Sequence, residues 1–162
     1  MILVLLLLAL LAAETDWKTS DLPLTLGGLS IGSPATLVGE RLGKPEREID
    51  ADLKLYPGAL LVRTREGKVV NLTAAGTWGL RQGERELGTI GAAWPAVHGA
   101  PRWQYRRGDL LVWLYNVQTC DLGVIQKNGG VEGFLLSEPG LLGWALEQSG
   151  YRQGEVPSAP SP

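Results

Sequence analysis

The sequence repeats one order of signals at an interval of about fifty residues, and this repeat restricts the folds open to the chain more than any other feature. Gly58-Ala59-Leu60-Leu61-Val62 has a counterpart in Gly108-Asp109-Leu110-Leu111-Val112. Leu42-Gly43-Lys44-Pro45 likewise lines up with Ala92-Ala93-Trp94-Pro95. A fixed period of this length indicates an internal duplication, so we predict two tandem units.

The two units, residues 29–76 and 77–136, each combine helix and hairpin signals. In the first unit, Ser33-Pro34 is typical of a helix start, and Glu66-Gly67 predicts a turn between two strands. In the second unit we expect a helix around residues 84–93 and a hairpin at Asn128-Gly129. The predicted fold class is therefore α+β, with two tandem repeats of a short helix followed by an antiparallel hairpin or meander.

The amino-terminal segment predicts export. Met1 to Ala13 carry no polar side chain, and Glu14 begins a polar stretch. Thirteen residues are too short to cross a hydrocarbon core of about 30 Å as a helix, but they fit the apolar region of a signal peptide. We predict cleavage, a secreted or periplasmic location and no stable membrane span afterwards. Because no Lys or Arg precedes the apolar run, an uncleaved membrane anchor is the alternative.

Three further segments flank the repeats. Residues 14–28 are predicted to be an N-terminal extension, and residues 137–152 an amphipathic closing helix with apolar residues at helical spacing. Residues 153–162 are rich in Pro and Ser and predict a disordered tail.

Composition excludes several classes of function. The chain has 162 residues and a net charge of −2, which provides no basic surface for nucleic acid. One Cys, at position 120, allows no internal disulfide, and we expect a buried thiol. With one His and one Cys, the chain offers no cluster of soft metal ligands, so we predict neither a metal nor another cofactor.

Three short motifs in the repeats resemble a known group of proteins. They are Ile31-x-x-Pro34, Leu42-Gly43-Lys44-Pro45 and Trp103-Gln104-Tyr105. Over about residues 29–136, the pattern resembles the repeat of the BamE/SmpA outer-membrane lipoproteins, which is found in tandem in β-lactamase inhibitor proteins (BLIP). The resemblance implies helices packed on one face of an antiparallel sheet and protein binding without catalysis.

One motif suggests chemistry. Gly28-Leu29-Ser30-Ile31-Gly32 matches G-x-S-x-G, and Asp50, Asp52 and His98 follow in the chain order of an α/β-hydrolase triad. That site needs a largely parallel sheet, however, whereas the hairpin signals predict antiparallel strands. We therefore expect no enzymatic activity and no catalytic residues, and keep a small serine hydrolase using Ser30 as an alternative.

Aromatic and arginine side chains mark the predicted binding site. By the repeat, the strand side that carries Arg63 and Arg65 in the first unit carries Trp113 and Tyr115 in the second. Side chains of these types dominate interface hot spots. The candidate protein-binding residues, which a continuous sheet would place side by side, are Trp103, Tyr105, Trp113, Tyr115, Arg63 and Arg65.

The predicted function is a non-enzymatic protein-binding or scaffolding module of the cell envelope. A glycan- or cell-wall-binding module that uses the same aromatic residues as stacking platforms is the alternative from another class. The aromatic residues also have a purely structural interpretation, because the closing helix could cover them as a local core.

Overall fold

A computed structural model describes residues 16–156, which form twelve strands, two α-helices and one 3-10 turn. The predicted signal peptide, residues 1–13, lies outside the described residues, as does most of the predicted tail. Within residues 16–156, neither helix is long and apolar enough to cross a membrane.

The strands form two antiparallel sheets. The first holds three strands in the order β1-β6-β7, and the second holds nine in the order β12-β8-β9-β10-β11-β5-β4-β3-β2. The strands are β1 (Leu24–Thr25), β2 (Arg47–Glu48), β3 (Leu53–Tyr56), β4 (Leu60–Arg65), β5 (Lys68–Ala74), β6 (Gly79–Gln82), β7 (Arg85–Thr89), β8 (Trp103–Arg107), β9 (Leu110–Asn116), β10 (Asp121–Lys127), β11 (Gly130–Ser137) and β12 (Arg152–Gly154). The helices are α1 (Ala35–Leu42) and α2 (Leu142–Gln148), and the 3-10 turn is Ala96–His98.

The two hairpins that the turn signals predict are confirmed. Glu66 and Gly67 join β4 to β5, and Asn128 and Gly129 join β10 to β11. All four turn residues have positive φ, which glycine adopts at no steric cost and Asn tolerates better than most residues. Strand β11 then pairs with β5, which joins the two halves of the chain into one sheet.

The predicted α+β class is wrong, because the second unit has no helix at residues 84–93. Residues 85–89 form β7, which pairs with β6. Gly88 disfavours a helix, and it also packs where a side chain would not fit: a Cβ there would lie 2.7 Å from the ring of Trp94. The described chain is a mostly β, sandwich-like arrangement of two antiparallel sheets with two helices, and not a pair of helix-hairpin repeats.

The two helices also lie on opposite faces of the nine-stranded sheet. Val38 of α1 belongs to the main core, whereas Leu142 and Leu146 of α2 belong to a second, smaller cluster. The prediction of helices packed on one face is therefore wrong as well. With neither the repeated helix nor the shared face present, the resemblance to the BamE/SmpA and β-lactamase inhibitor repeat is not upheld.

The faces of the nine-stranded sheet carry the two clusters. On one face, here called the core side, Leu60, Leu72 and Phe134 pack with residues of the three-stranded sheet, among them Leu80 and Leu87. The opposite face, here called the helix side, carries the small cluster of Tyr105, Val112, Leu114, Leu142 and Leu146. Burial of apolar area on both faces holds the fold together, since the described chain contains one cysteine and it is free.

Candidate interaction surface

The helix side of the sheet is crossed by one row of directly paired residues. In register order across seven strands, the row is Leu55, Leu61, Thr73, Leu135, Gly123, Leu114 and Trp103. Paired residues of antiparallel strands point to the same face, so these side chains form a continuous, mostly apolar stripe. Most of them are only partly buried.

Helix α2 covers the stripe at its centre. Gly123 leaves room for the helix, because a Cβ there would lie 3.1 Å from Leu142 Cδ2. Within α2 itself, a Cβ at Gly143 would lie 2.8 Å from the hydroxyl of Tyr105. Tyr105 is accordingly buried beneath α2, whereas Leu55, Leu61 and Thr73 keep part of their surface.

The other predicted aromatic residues divide between the two faces. Trp103 lies at the β8 end of the helix-side row and is 40% exposed. Trp113 and Tyr115 point to the core side: Trp113 pairs with Gln104 and Val124, and Tyr115 is 1% exposed. Trp113 is half-buried, and its indole N–H donates to Gln104 Oε1 at 3.1 Å.

The two predicted arginines do not lie beside Trp113 and Tyr115. Arg63 is on the helix side, in a row that continues through Asn71, Ser137 and Asp121. Its guanidinium is 3.7 Å from Asp50, and Arg65 pairs with Glu138. The register of β5 with β11 thus places Arg63 and the two core-side aromatics on opposite faces of the sheet.

Two exposed apolar residues, Leu141 just before α2 and Trp144 within it, lie on the helix side and were not predicted to bind a partner. Trp144 is 64% exposed and Leu141 is 44% exposed. Because Leu142 and Leu146 face the sheet, Trp144 lies about half a turn away and faces solvent. Trp103, Leu141 and Trp144 are here called the helix-side surface. The helical spacing at residues 141–146 could have identified it, since Trp144 falls outside the apolar face.

A shallow groove runs between Trp103 and the start of α2. It has a volume of about 300 Å³, and its walls include Arg102, Trp103, Tyr105, Asn116, Gly140 and Gly143. The guanidinium of Arg102 lies 5.8 Å from the centroid of the Trp103 ring, within the range of a cation–π contact. The groove therefore combines an aromatic wall with polar edges.

The residues of the hydrolase alternative do not form a triad. The hydroxyls of Ser30 and Ser33 lie 3.1 Å apart, and the Ser30 N–H donates to Ser33 Oγ. The ring of His98 bonds to the carbonyl oxygen of Leu87 instead.

Cys120 is buried, as predicted, and burial raises the pKa of its thiol to about 11, so the reactive thiolate is scarce at neutral pH. Among residues 16–156, no three His, Cys, Asp or Glu side chains gather as a metal site.

A cluster of aromatic rings lies on the core side where the amino-terminal segment crosses the sheet. It contains Trp17, Trp94, His98 and Tyr115, with ring centroids 4.5 to 6.3 Å apart. The amide of Gln82 holds the segment by donating to the carbonyl oxygens of Trp17 and Leu22. The sequence interpretation placed residue 17 in a polar extension, because one isolated Trp carries no periodic signal.

Comparisons with known proteins do not assign the chain to a family. No family model matches the sequence, and no curated protein matches it. Among solved structures, a cysteine-rich secretory protein from Staphylococcus aureus subsp. aureus Mu50 shares 12% sequence identity with a TM-score of 0.46. The match covers 82% of this chain and 53% of that protein, so the chain spans about half the length of the protein it matches. At this similarity the match assigns the chain neither a fold family nor a function.

Proposed function

We propose that the chain is an exported, non-enzymatic module of the cell envelope that binds another protein through the helix-side surface. The observation that supports this most directly is the exposure of Trp103, Leu141 and Trp144 on one side of the sheet. Clustered exposed apolar side chains indicate interaction sites, and Trp is enriched among residues that dominate binding energy.

The surface has the make-up of a protein interface. Its apolar part continues from α2 onto the partly exposed stripe of Leu135, Thr73 and Leu61. Charged side chains lie at its margin, among them Arg63 and Arg102. An apolar centre with a polar margin is the usual arrangement of a binding patch. The hydrolase alternative is less well supported, because the hydroxyl of Ser30 bonds to Ser33 and not to a general base.

Substituting alanine at Trp103 and Trp144 tests the surface. A photoreactive amino acid at position 141 should cross-link the protein to one specific partner in the envelope fraction, and W103A/W144A should reduce that adduct at least about tenfold. Leu22→Ala is the matched control, since Leu22 is also exposed but lies on the core side. The melting temperature should stay nearly unchanged in all variants, because surface substitutions seldom exceed about 0.5 kcal/mol.

Two results of that experiment would contradict the proposal. An adduct that W103A/W144A forms as well as the wild type would exclude the helix-side surface as the binding site. Specific retention of the wild type on purified peptidoglycan, lost in the same variant, would instead support a glycan-binding module that stacks sugars on Trp144.

Export is tested separately by fractionating cells that produce the protein. We expect a processed form outside the cytoplasmic membrane whose amino terminus, measured by mass spectrometry, lies close to Glu14. Recovery of the unprocessed chain in the membrane fraction would favour the uncleaved anchor. Failure to find processed protein outside that membrane would overturn the exported location.

A further inference from the structure

A pocket beside the 3-10 turn is lined by charged and polar side chains from separate segments of the chain. Its volume is about 300 Å³, and its walls include Asp16, Trp17, Lys18, Arg85, His98 and Gly99. It lies on the core side, next to the aromatic cluster, and is separate from the helix-side surface. Residues from the amino-terminal segment, β7 and the 3-10 turn thus meet at one place.

Two residues that line this pocket each contain a buried nitrogen atom with no hydrogen-bond partner within residues 16–156. They are Trp17 Nε1 and His98 Nδ1, in side chains that are each 4% exposed. Nearly all buried polar atoms in folded proteins are paired, and unpaired ones often indicate an ion, a water molecule or a ligand. The two rings are in edge contact, with centroids 5.4 Å apart, and both residues line the same pocket.

The same pocket is lined by two positively charged side chains, Lys18 and Arg85. Within the described chain, neither Lys18 nor Arg85 takes part in a salt bridge. The Lys18 ammonium lies 5.9 Å from the centroid of the Trp17 ring and 5.8 Å from that of Tyr115. Asp16 is the acidic member of the wall. Two cations against one carboxylate leave the pocket with a positive balance.

The hydrogen bond of His98 decides what the other nitrogen of the ring can do. Its Nε2 lies 2.6 Å from the carbonyl oxygen of Leu87, which can only accept, so Nε2 carries the hydrogen. In the neutral ring Nδ1 is an acceptor, and in the protonated ring it is a donor. Trp17 Nε1 is a donor in either case.

We propose that this pocket binds an oxyanion, a phosphate or carboxylate group, through the side chains of Lys18 and Arg85 and the N–H groups of Trp17 and protonated His98. Each of these groups is a donor suited to a negatively charged oxygen. Because Nδ1 must gain a hydrogen to donate, binding takes up one proton from solvent at His98. Asp16 opposes the anion, and its charge is outweighed by the two cations.

Without a bound anion, acid should lower the stability of the folded protein. Burial lowers the pKa of His98, the hydrogen bond to Leu87 opposes this, and the charges of Arg85 and Lys18 lower the pKa further. A lowered folded-state pKa means that stability is complete above the usual value of about 6.5 and is lost as the pH falls through the folded value. A bound oxyanion reverses the sign, because it favours the protonated ring.

The pKa of His98 provides the test, since this is the single histidine of the chain and its ring gives resolved NMR signals. The titration is run on the purified protein in sodium chloride, then with added inorganic phosphate or acetate at matched ionic strength. We expect the anion that fits to raise the pKa of His98 by about one or more. By linkage, a rise of about one in this pKa corresponds to about tenfold tighter anion binding once the ring is protonated. A response to phosphate alone assigns a phosphate site, and a response to acetate alone assigns a carboxylate site.

Two double variants complete the experiment. K18Q/R85Q should lose the rise in pKa, whereas K44Q/R47Q, which removes two exposed positive charges elsewhere, should retain it. Trp17→Phe should weaken the response, and its melting temperature shows whether the fold survives. An unchanged pKa of His98 with both anions would overturn the proposal and leave a water molecule as the partner of the two nitrogens. A full rise in K18Q/R85Q would overturn it as well.

Discussion

Replacing Tyr115 by alanine is expected to lower the unfolding free energy by about 4 kcal/mol, the loss typical of a large aromatic residue removed from a core. The ring is 1% exposed and packs against Trp17 and Trp94, with centroids 5.4 and 6.0 Å away. The change leaves a cavity in the aromatic cluster, which joins the amino-terminal segment to the sheet. For a domain of this size, such a loss is a large part of the total stability.

The hydroxyl of Tyr115 contributes separately from its ring. It accepts a hydrogen bond from Trp94 Nε1 at 3.0 Å and donates one to the carbonyl oxygen of Gly99 at 2.8 Å. Burial raises the pKa of Tyr115 to about 12, so the phenol stays protonated in the physiological range. Tyr115→Phe keeps the ring and leaves the buried N–H of Trp94 without its partner, which should cost about 1–3 kcal/mol.

Urea denaturation of the wild type, Tyr115→Ala, Tyr115→Phe and Trp113→Ala measures these differences. Trp113 lies on the same strand and face but is half-buried, so its removal should cost clearly less than that of Tyr115. Equal losses of unfolding free energy for Trp113→Ala and Tyr115→Ala would contradict the difference in burial between the two residues. A loss below about 2 kcal/mol for Tyr115→Ala would mean that the cluster is loosely packed.

Local signals in the sequence predicted much of the strand framework. The Glu66-Gly67 and Asn128-Gly129 turns fix two hairpins, and Gly67, Asn128 and Gly129 are residues that tolerate the positive φ found there. Trp113 and Tyr115, which were predicted to share one side of a strand, do share a face of β9, and Val112 and Leu114 lie on the other face. Short-range geometry was enough in these cases, since each signal acts within a few residues.

Features that depend on distant contacts could not be predicted in this way. Residues 84–93 were predicted to form a helix although Gly88 disfavours one, and in the structure Gly88 packs against Trp94 and the segment pairs with β6. The alternation in β9 could not show that one face is covered by the three-stranded sheet and the other partly by α2. Likewise, the pairing of Thr73 with Leu135 depends on a register between segments about sixty residues apart.

The candidate site was predicted in part and for related reasons. Residue type alone identified Trp103 as a candidate, and Trp103 is exposed in the structure. Residue type could not distinguish Trp103 from Tyr105, which α2 buries. His98 was considered only as a triad member, because its neighbours Trp17 and Arg85 come from remote segments. A binding site assembled from several elements leaves little trace in any one of them.

Replacing Asp121 by alanine is expected to cost about 3 kcal/mol and to release α2 from the sheet. The carboxylate is buried on the helix side, where Oδ2 accepts from the N–H groups of Gly140 at 2.8 Å and Leu142 at 3.3 Å. Its other oxygen accepts from Asn116 Nδ2 at 2.8 Å. Helix α2 has no side-chain cap at its own amino terminus, so a residue of β10 satisfies the free N–H groups there.

Hydrogen exchange distinguishes local release from general unfolding. In Asp121→Ala, the amides of α2 should exchange much faster, while those of β4 and β5, which lie away from α2, should change only as far as global stability falls. Asn116→Ala is the matched control: it removes one partner of the same carboxylate and should leave α2 protected, at a cost of about 1 kcal/mol. Uniform acceleration across all strands would mean that α2 does not open separately.

The same substitution links the fold to the proposed function. Leu141 and Trp144 belong to the helix-side surface only while α2 lies over Gly123 and Tyr105. Asp121→Ala should therefore reduce partner cross-linking as strongly as W103A/W144A does, although Asp121 is itself buried and cannot touch a partner. Full cross-linking in Asp121→Ala, with α2 shown by exchange to be released, would mean that the partner binds elsewhere on the protein.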